Sequence, residues 1–200
     1  MDRTNLIERK FEFQTRALPA EGEERQELWV EGYAAKFNSP TVLFEIDGVE
    51  YKEQIASDAF SEAKMDDVIF NFNHSGRVMA RTRNKTLQVN VDTGGLFIRA
   101  RLDGTDEGRS LYSDIQNGYI DRMSFRFTIG SEAYDYQNRT WTVLRVKRLY
   151  DVSAVDIPAY DDTSIEARKA DAEAVAREHQ HKADAELTRK KLILKLKLED

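Results

Sequence analysis

The groups in this chain with the types and placement to do covalent chemistry are an imidazole, a strand-borne hydroxyl and a pair of carboxylates. His74 ends the apolar run VIFNFNHSG at positions 68–76, while the other two histidines, His179 and His181, lie in a charged C-terminal stretch. An imidazole there can simply end a strand and share a hydrogen bond with Ser75 or Asn73. It can also serve as a general base, because a serine nucleophile needs a ring nitrogen within reach and a third group to hold that ring's tautomer. Were the chain a serine hydrolase, His74 would be the imidazole of its globular part.

Ser39, Ser57, Ser61, Ser75, Ser110, Ser113 and Ser131 fall mostly in loop-like stretches, whereas Ser124 lies inside the alternating run DRMSFRF. Its side chain points away from Met123 and Phe125, and a strand fixes a hydroxyl better than a loop does. The alternative is a small residue filling a gap in a sheet wall. For the third group, RLYDVSAVDIPAY offers Asp151 and Asp156 with Ser153 between them. In a regular strand Asp151 and Ser153 share one face and Asp156 takes the other, a phase that a single bulge would shift. A carboxylate in so apolar a run is costly unless paired. A histidine N–H, Arg145 or Arg148 could pair it, and a plain surface Asp–Arg contact is the bland outcome.

Composition narrows the function classes. The net charge of −6 is not that of a nucleic-acid-binding domain, which would carry a basic face. The absence of cysteine removes disulfides, thiolate metal sites and a cysteine nucleophile. His74 has no second histidine at helical or strand spacing, so a metal site is poorly supported. No apolar run approaches the roughly 18–20 residues of a membrane span. The N-terminus MDRTNLIERKFEF is charged throughout and lacks a signal-peptide core. The sequence therefore predicts a soluble, intracellular protein with neither a membrane nor a nucleic-acid partner.

Three stretches differ in texture. Residues 1–27 pass from the alternating RKFEFQTRAL into an acidic loop, residues 28–162 hold nearly all the aromatic side chains, and residues 163–200 are rich in Ala, Glu, Lys and Arg. That tail is helix-prone, as a paired helix or as a solvated arm. In the middle stretch, ELWVEGYAAKF and DVIFNFN read as strands, and KTLQVNVDTGGLFIRARL as a hairpin turning at DTGG. DEGRSLYSDIQNGY has helical spacing and a C-cap at Asn117-Gly118. Two long strands follow, joined at QNR, and Pro158 stops the second. The predicted fold is α+β but mainly β, an antiparallel β-barrel core with peripheral helices and a charged helical C-terminal tail.

Taken in order, NFNHS, GRVMARTRN, LQVNVDTGGLFIRARLDGTDEGRSLYSDIQNGYIDRMSFRF and LYDVSAVDIPAYDDTSIEAR resemble the HK97-type prohead proteases of tailed bacteriophages over roughly residues 10–168. The individual motifs are short; their order and spacing carry the specificity. That family is related in fold to the herpesvirus assemblins. The resemblance implies His74 as general base, Ser124 as nucleophile and Asp151 as the acidic third member, where the family commonly has glutamate. It implies no metal or organic cofactor. It also implies a serine endopeptidase that cleaves the scaffolding segment of the major capsid protein and then itself, inside the immature prohead in the host cytoplasm. The tail would then be a region of scaffold association and self-cleavage. The assemblin relatives are activated by dimerisation, which brings a homodimer within what the resemblance implies. Arg122 and Arg126 depart from the small residues that often flank the family's MSF core. A catalytically silent capsid assembly or scaffold module is the competing class, and the presence of His74, Ser124 and Asp151 together disfavours it.

Overall fold

The computed structural model describes residues 7–11, 16–17, 27–156 and 189–190. The chain divides into two compact units, Met1–Tyr160 and Asp161–Asp200. In the second, only Arg189 and Lys190, both helical, are among the described residues, so the expected tail helix and scaffold region otherwise lies outside them.

The first unit runs β1 (Ile7–Phe11), β2 (Arg16–Ala17), β3 (Trp29–Lys36), β4 (Thr41–Ile46), β5 (Val49–Ile55), β6 (Ile69–Phe72), β7 (Ser75–Arg81), β8 (Leu87–Val91), β9 (Gly95–Arg101), α1 (Asp106–Gln116), β10 (Arg122–Asp135) and β11 (Thr140–Val155). Local chemistry accounts for most of the boundaries. At the β8–β9 turn the Asp92 carboxylate accepts the N–H groups of Gly94 at 2.7 Å and Gly95 at 3.0 Å. Gly95 itself has φ of 156°, and a Cβ there would lie 1.9 Å from the carbonyl oxygen of Ala35 on β3. Helix α1 starts where the Thr105 hydroxyl accepts the Gly108 N–H at 2.9 Å, and ends with Asn117 as C-cap. Gly118, with φ of 76°, follows as expected of a C′ residue.

The strands form two sheets. The smaller has the order β2-β3-β9-β8 and the larger β1-β10-β11-β5-β4, with β6 and β7 branching from β11. β11 explains the branching. One edge pairs antiparallel with β10 along its length, and it also pairs in parallel with β5 at Thr140–Val143 and with β6 at Asp151–Ala154. The first unit is mainly β with one helix among its described residues, but the expected closed antiparallel barrel is not found there. The physical reason lies in those two parallel pairings, which require crossovers that strand-by-strand alternation does not reveal.

The core is held by the face of β10 and β11 carrying Phe125, Phe127, Leu149 and Val152, with Phe60 and Phe70 packed beside them, all essentially inaccessible to solvent. Phe125 and Phe127 stack at 4.9 Å between centroids. Burying each such side chain contributes roughly 1.5–3 kcal/mol. The cluster makes β10 and β11 a rigid platform, and their opposite face is where the polar residues collect.

Candidate active site

Three strands lay a polar patch on that opposite face. Across β10 and β11, Ser124 stands opposite Ser153 and Arg126 opposite Asp151; across β11 and β6, Ser153 stands opposite Asn71. Opposed residues share a face, so Ser124, Ser153 and Asn71 form one row, with Arg126 and Asp151 in the next. The position of Asp151 depends on a bulge. Phe127 pairs with Leu149, yet the next residue along β10, Arg126, pairs with Asp151, leaving Tyr150 as an extra residue. In regular alternation Asp151 would follow Leu149 onto the apolar face. The bulge instead turns it to the side of Ser124, as bulges beside functional sites commonly do.

The imidazole arrives from the β6–β7 hairpin. Phe72 pairs with Ser75, so Asn73 and His74 are the two central turn residues, with φ of 49° and 54°. Two left-handed residues match the type I′ turn, which suits the twist of a hairpin and favours Asn followed by Gly. Here histidine takes the glycine position. The turn is strapped down from both sides. The Asn73 N–H donates to the Ala154 carbonyl at 2.9 Å, its side-chain oxygen accepts the Asp156 N–H at 3.3 Å, and Arg126 donates to the His74 carbonyl at 3.0 Å.

So held, the ring of His74 spans the patch diagonally. Its Nε2 lies 2.7 Å from Ser124 Oγ and its Nδ1 lies 2.5 Å from Asp151 Oδ1. Ser153 Oγ sits at the corner of that diagonal, 3.1 Å from Nδ1, 3.1 Å from Asp151 Oδ1 and 2.5 Å from Asn71 Oδ1. The His74 and Asp151 side chains are 2% and 8% exposed, and Ser124 and Ser153 are fully buried. In so dry a setting each hydrogen bond is electrostatically stronger than in water.

The structure thus brings together His74, Ser124 and Asp151. Asp156 is exposed and donates its backbone N–H to the Asn73 side chain. Arg145 and Arg148, the other partners considered for Asp151, lie against Glu62 and the Tyr150 ring instead. Arg126 ties the turn that carries the base. Asn71 was not visible as a site residue, because only the parallel pairing of β6 with β11 puts it beside Ser153. Arg126 could have been found from its i+2 spacing to Ser124 on a strand. Among the described residues, no group of three or more His, Asp or Glu side chains could hold a metal ion, and no helix is long and apolar enough to cross a membrane.

A hydroxyl, an imidazole and a carboxylate joined end to end, on a rigid mainly β scaffold, define the class of serine hydrolases. Residues 12–178, well over half of the chain, match the family model described as caudovirus prohead serine protease, and the chain belongs to that family. It is a prohead serine protease. Among solved structures it is similar to the bacteriophage T4 capsid assembly protease, gp21, at a TM-score of 0.51 and 18% identity, covering 76% of this chain and 98% of that one. A likeness at that identity speaks to the fold. No curated protein matches the chain.

Proposed function

We propose that Ser124, His74 and Asp151 are the nucleophile, general base and orienting acid of an endopeptidase that removes the scaffolding segment of the major capsid protein and also cleaves itself. The observation that carries this reading is the single imidazole bridging Ser124 Oγ at 2.7 Å and Asp151 Oδ1 at 2.5 Å. Asp151 accepts a hydrogen bond from the Nδ1–H of His74, which leaves the Nε2 lone pair free to take the proton of Ser124. Ser124 Oγ then attacks the scissile carbonyl carbon. His74, now an imidazolium held by Asp151, passes its proton to the departing amine as the C–N bond breaks. Water repeats the cycle on the acyl-enzyme, its proton going to Nε2 and then back to Ser124.

The place of action in this reading is the immature prohead within the host cytoplasm. Packing enzyme and substrate in one shell raises their effective concentration to around millimolar, and the same protease at cytosolic dilution would meet few substrates before assembly. Residues 163–200 are the proposed segment for scaffold association and self-cleavage.

The test is intact mass of the purified chain and of Ser124→Ala, each incubated concentrated and with the cognate capsid protein. Loss of terminal pieces and cleavage of the capsid protein by the wild type alone is the expected outcome. If neither protein changes either chain, the endopeptidase reading fails and a silent assembly module takes its place.

A further inference from the structure

Ser153 and Asn71 are buried polar residues that the proposed reaction does not use; Ser153 touches the imidazole on which it turns, and Asn71 touches Ser153. A serine hydroxyl has one proton and two lone pairs. Ser153 Oγ has three neighbours: Asn71 Oδ1 at 2.5 Å, Asp151 Oδ1 at 3.1 Å and His74 Nδ1 at 3.1 Å. The short contact is to Asn71, an amide oxygen that can only accept, so the proton of Ser153 lies on that line. The lone pairs of Ser153 Oγ are thereby left facing His74 Nδ1.

This choice decides the tautomer of His74. With Asp151 Oδ1 and the Ser153 lone pairs both presented to Nδ1, the ring is stable only with its proton there, and Nε2 is left as the acceptor for Ser124. Were Ser153 free to rotate its proton toward Nδ1, it would stabilise the opposite tautomer. Nε2 would then carry a proton and could not receive one. Rotation toward Asp151 would instead engage the carboxylate oxygen that holds the ring. We propose that Asn71 and Ser153 form a tautomer lock, in which Asn71 keeps the Ser153 hydroxyl in its accepting orientation toward His74 Nδ1. Both are positioning residues, acting through His74. The inference rests on the roles proposed above for His74 and Ser124.

The lock makes a non-additive prediction. Asn71→Ala releases the hydroxyl and lowers kcat at least 10-fold with KM within twofold. Ser153→Ala removes the hydroxyl with its competing proton and leaves Asp151 as acceptor, so its loss is smaller. In the Ser153→Ala background, Asn71→Ala should add nothing beyond a twofold change, because there is no hydroxyl left to orient. Losses that multiply in the double variant would overturn the lock. Asn71→Leu, which keeps the branched side-chain skeleton and removes the acceptor, serves if Asn71→Ala does not fold.

A second readout is independent of turnover. In the Ser124→Ala chain, which cannot digest itself by the proposed route, ¹⁵N NMR of the imidazole assigned by comparison with His74→Ala reads which ring nitrogen is protonated. The proton is expected on Nδ1, with Asn71→Ala moving a measurable fraction to Nε2. An unchanged Nδ1 tautomer in Asn71→Ala would refute the lock even if the chain is an active protease. A shifted tautomer in a chain without protease activity would keep the lock and reject the proposed function.

Discussion

His74 occupies a backbone position that suits glycine better than any residue with a side chain. Its φ of 54° follows the 49° of Asn73, and a non-glycine residue in the left-handed region costs about 1 kcal/mol or more. The placement makes sense if the imidazole is worth more at the site than its backbone strain. Comparing two variants isolates that strain. His74→Ala and His74→Gly both remove the ring and both should abolish proteolysis, but His74→Gly should be the more stable by about 1 kcal/mol in denaturant titration, since it alone relaxes the turn. An equal or reversed order would mean the turn is not strained. Asp151 supports a sharper expectation. Its carboxylate already lies 2.5 Å from Nδ1 in a buried strand, so the extra methylene of Asp151→Glu, about 1.5 Å of reach, has no room. Activity should fall at least 10-fold. Asp151→Asn, which favours the wrong tautomer, should lower kcat by on the order of 10⁴.

At the scale of elements, the types of the site residues were legible in the sequence but their phase was not. Alternation in DRMSFRF correctly set Ser124 opposite in direction to Met123 and Phe125, because β10 is regular there. On β11 the Tyr150 bulge re-phases everything after it. No residue type announces such a bulge, so alternation alone does not tell that Asp151 rather than Asp156 lies beside His74. The β4–β5 hairpin was missed for a different reason. Its Asp47-Gly48 turn, with φ of 51° and 77°, is a strong hairpin signal, but the flanking strands carry exposed polar residues that blur the alternation. Gly95 and Arg126 are the element-level joints to test. Gly95→Ala would drive a Cβ into the β3 backbone, where no flexible side chain can yield, and should destabilise the fold by about 2 kcal/mol or more. Arg126→Ala removes the charged hydrogen bond that fixes the His74 carbonyl. It should cost about 1.5 kcal/mol of stability and lower kcat well beyond what that loss explains, with KM little changed. If kcat and stability fall in proportion, Arg126 is a structural strut alone.

Across the whole molecule, the carboxylates tie acid stability to the hairpin that carries His74. The Arg81 guanidinium donates to both oxygens of Asp67 at 2.6 Å and holds its carboxyl below the usual range, against a smaller opposing effect of burial. Asp67 precedes β6 and Arg81 ends β7, so this pair clamps the open end of the hairpin whose closed end is the His74 turn. Hydrogen bonds from Trp29 and Arg101 lower Glu27, and those from Asn138 and Gln137 lower Asp135. Burial raises Asp92, but the Gly94 and Gly95 N–H groups and the Tyr33 hydroxyl outweigh it, so its net shift is downward as well. A carboxylate with a lowered folded pKa binds fewer protons folded than unfolded in the window between the two values, so stability rises with pH there. The stabilisation is present above the unfolded carboxylate range, about pH 4, and is lost as pH falls through the lower folded values. The thermal midpoint should therefore hold nearly level from neutral pH through the isoelectric point near 5.3 and fall steeply only below about pH 4. Asp67→Asn should lower the plateau and flatten the acid limb, because one of the titrating groups is gone. A midpoint that begins to fall well above pH 5, unchanged in Asp67→Asn, would show that net charge rather than these local bonds governs the acid transition.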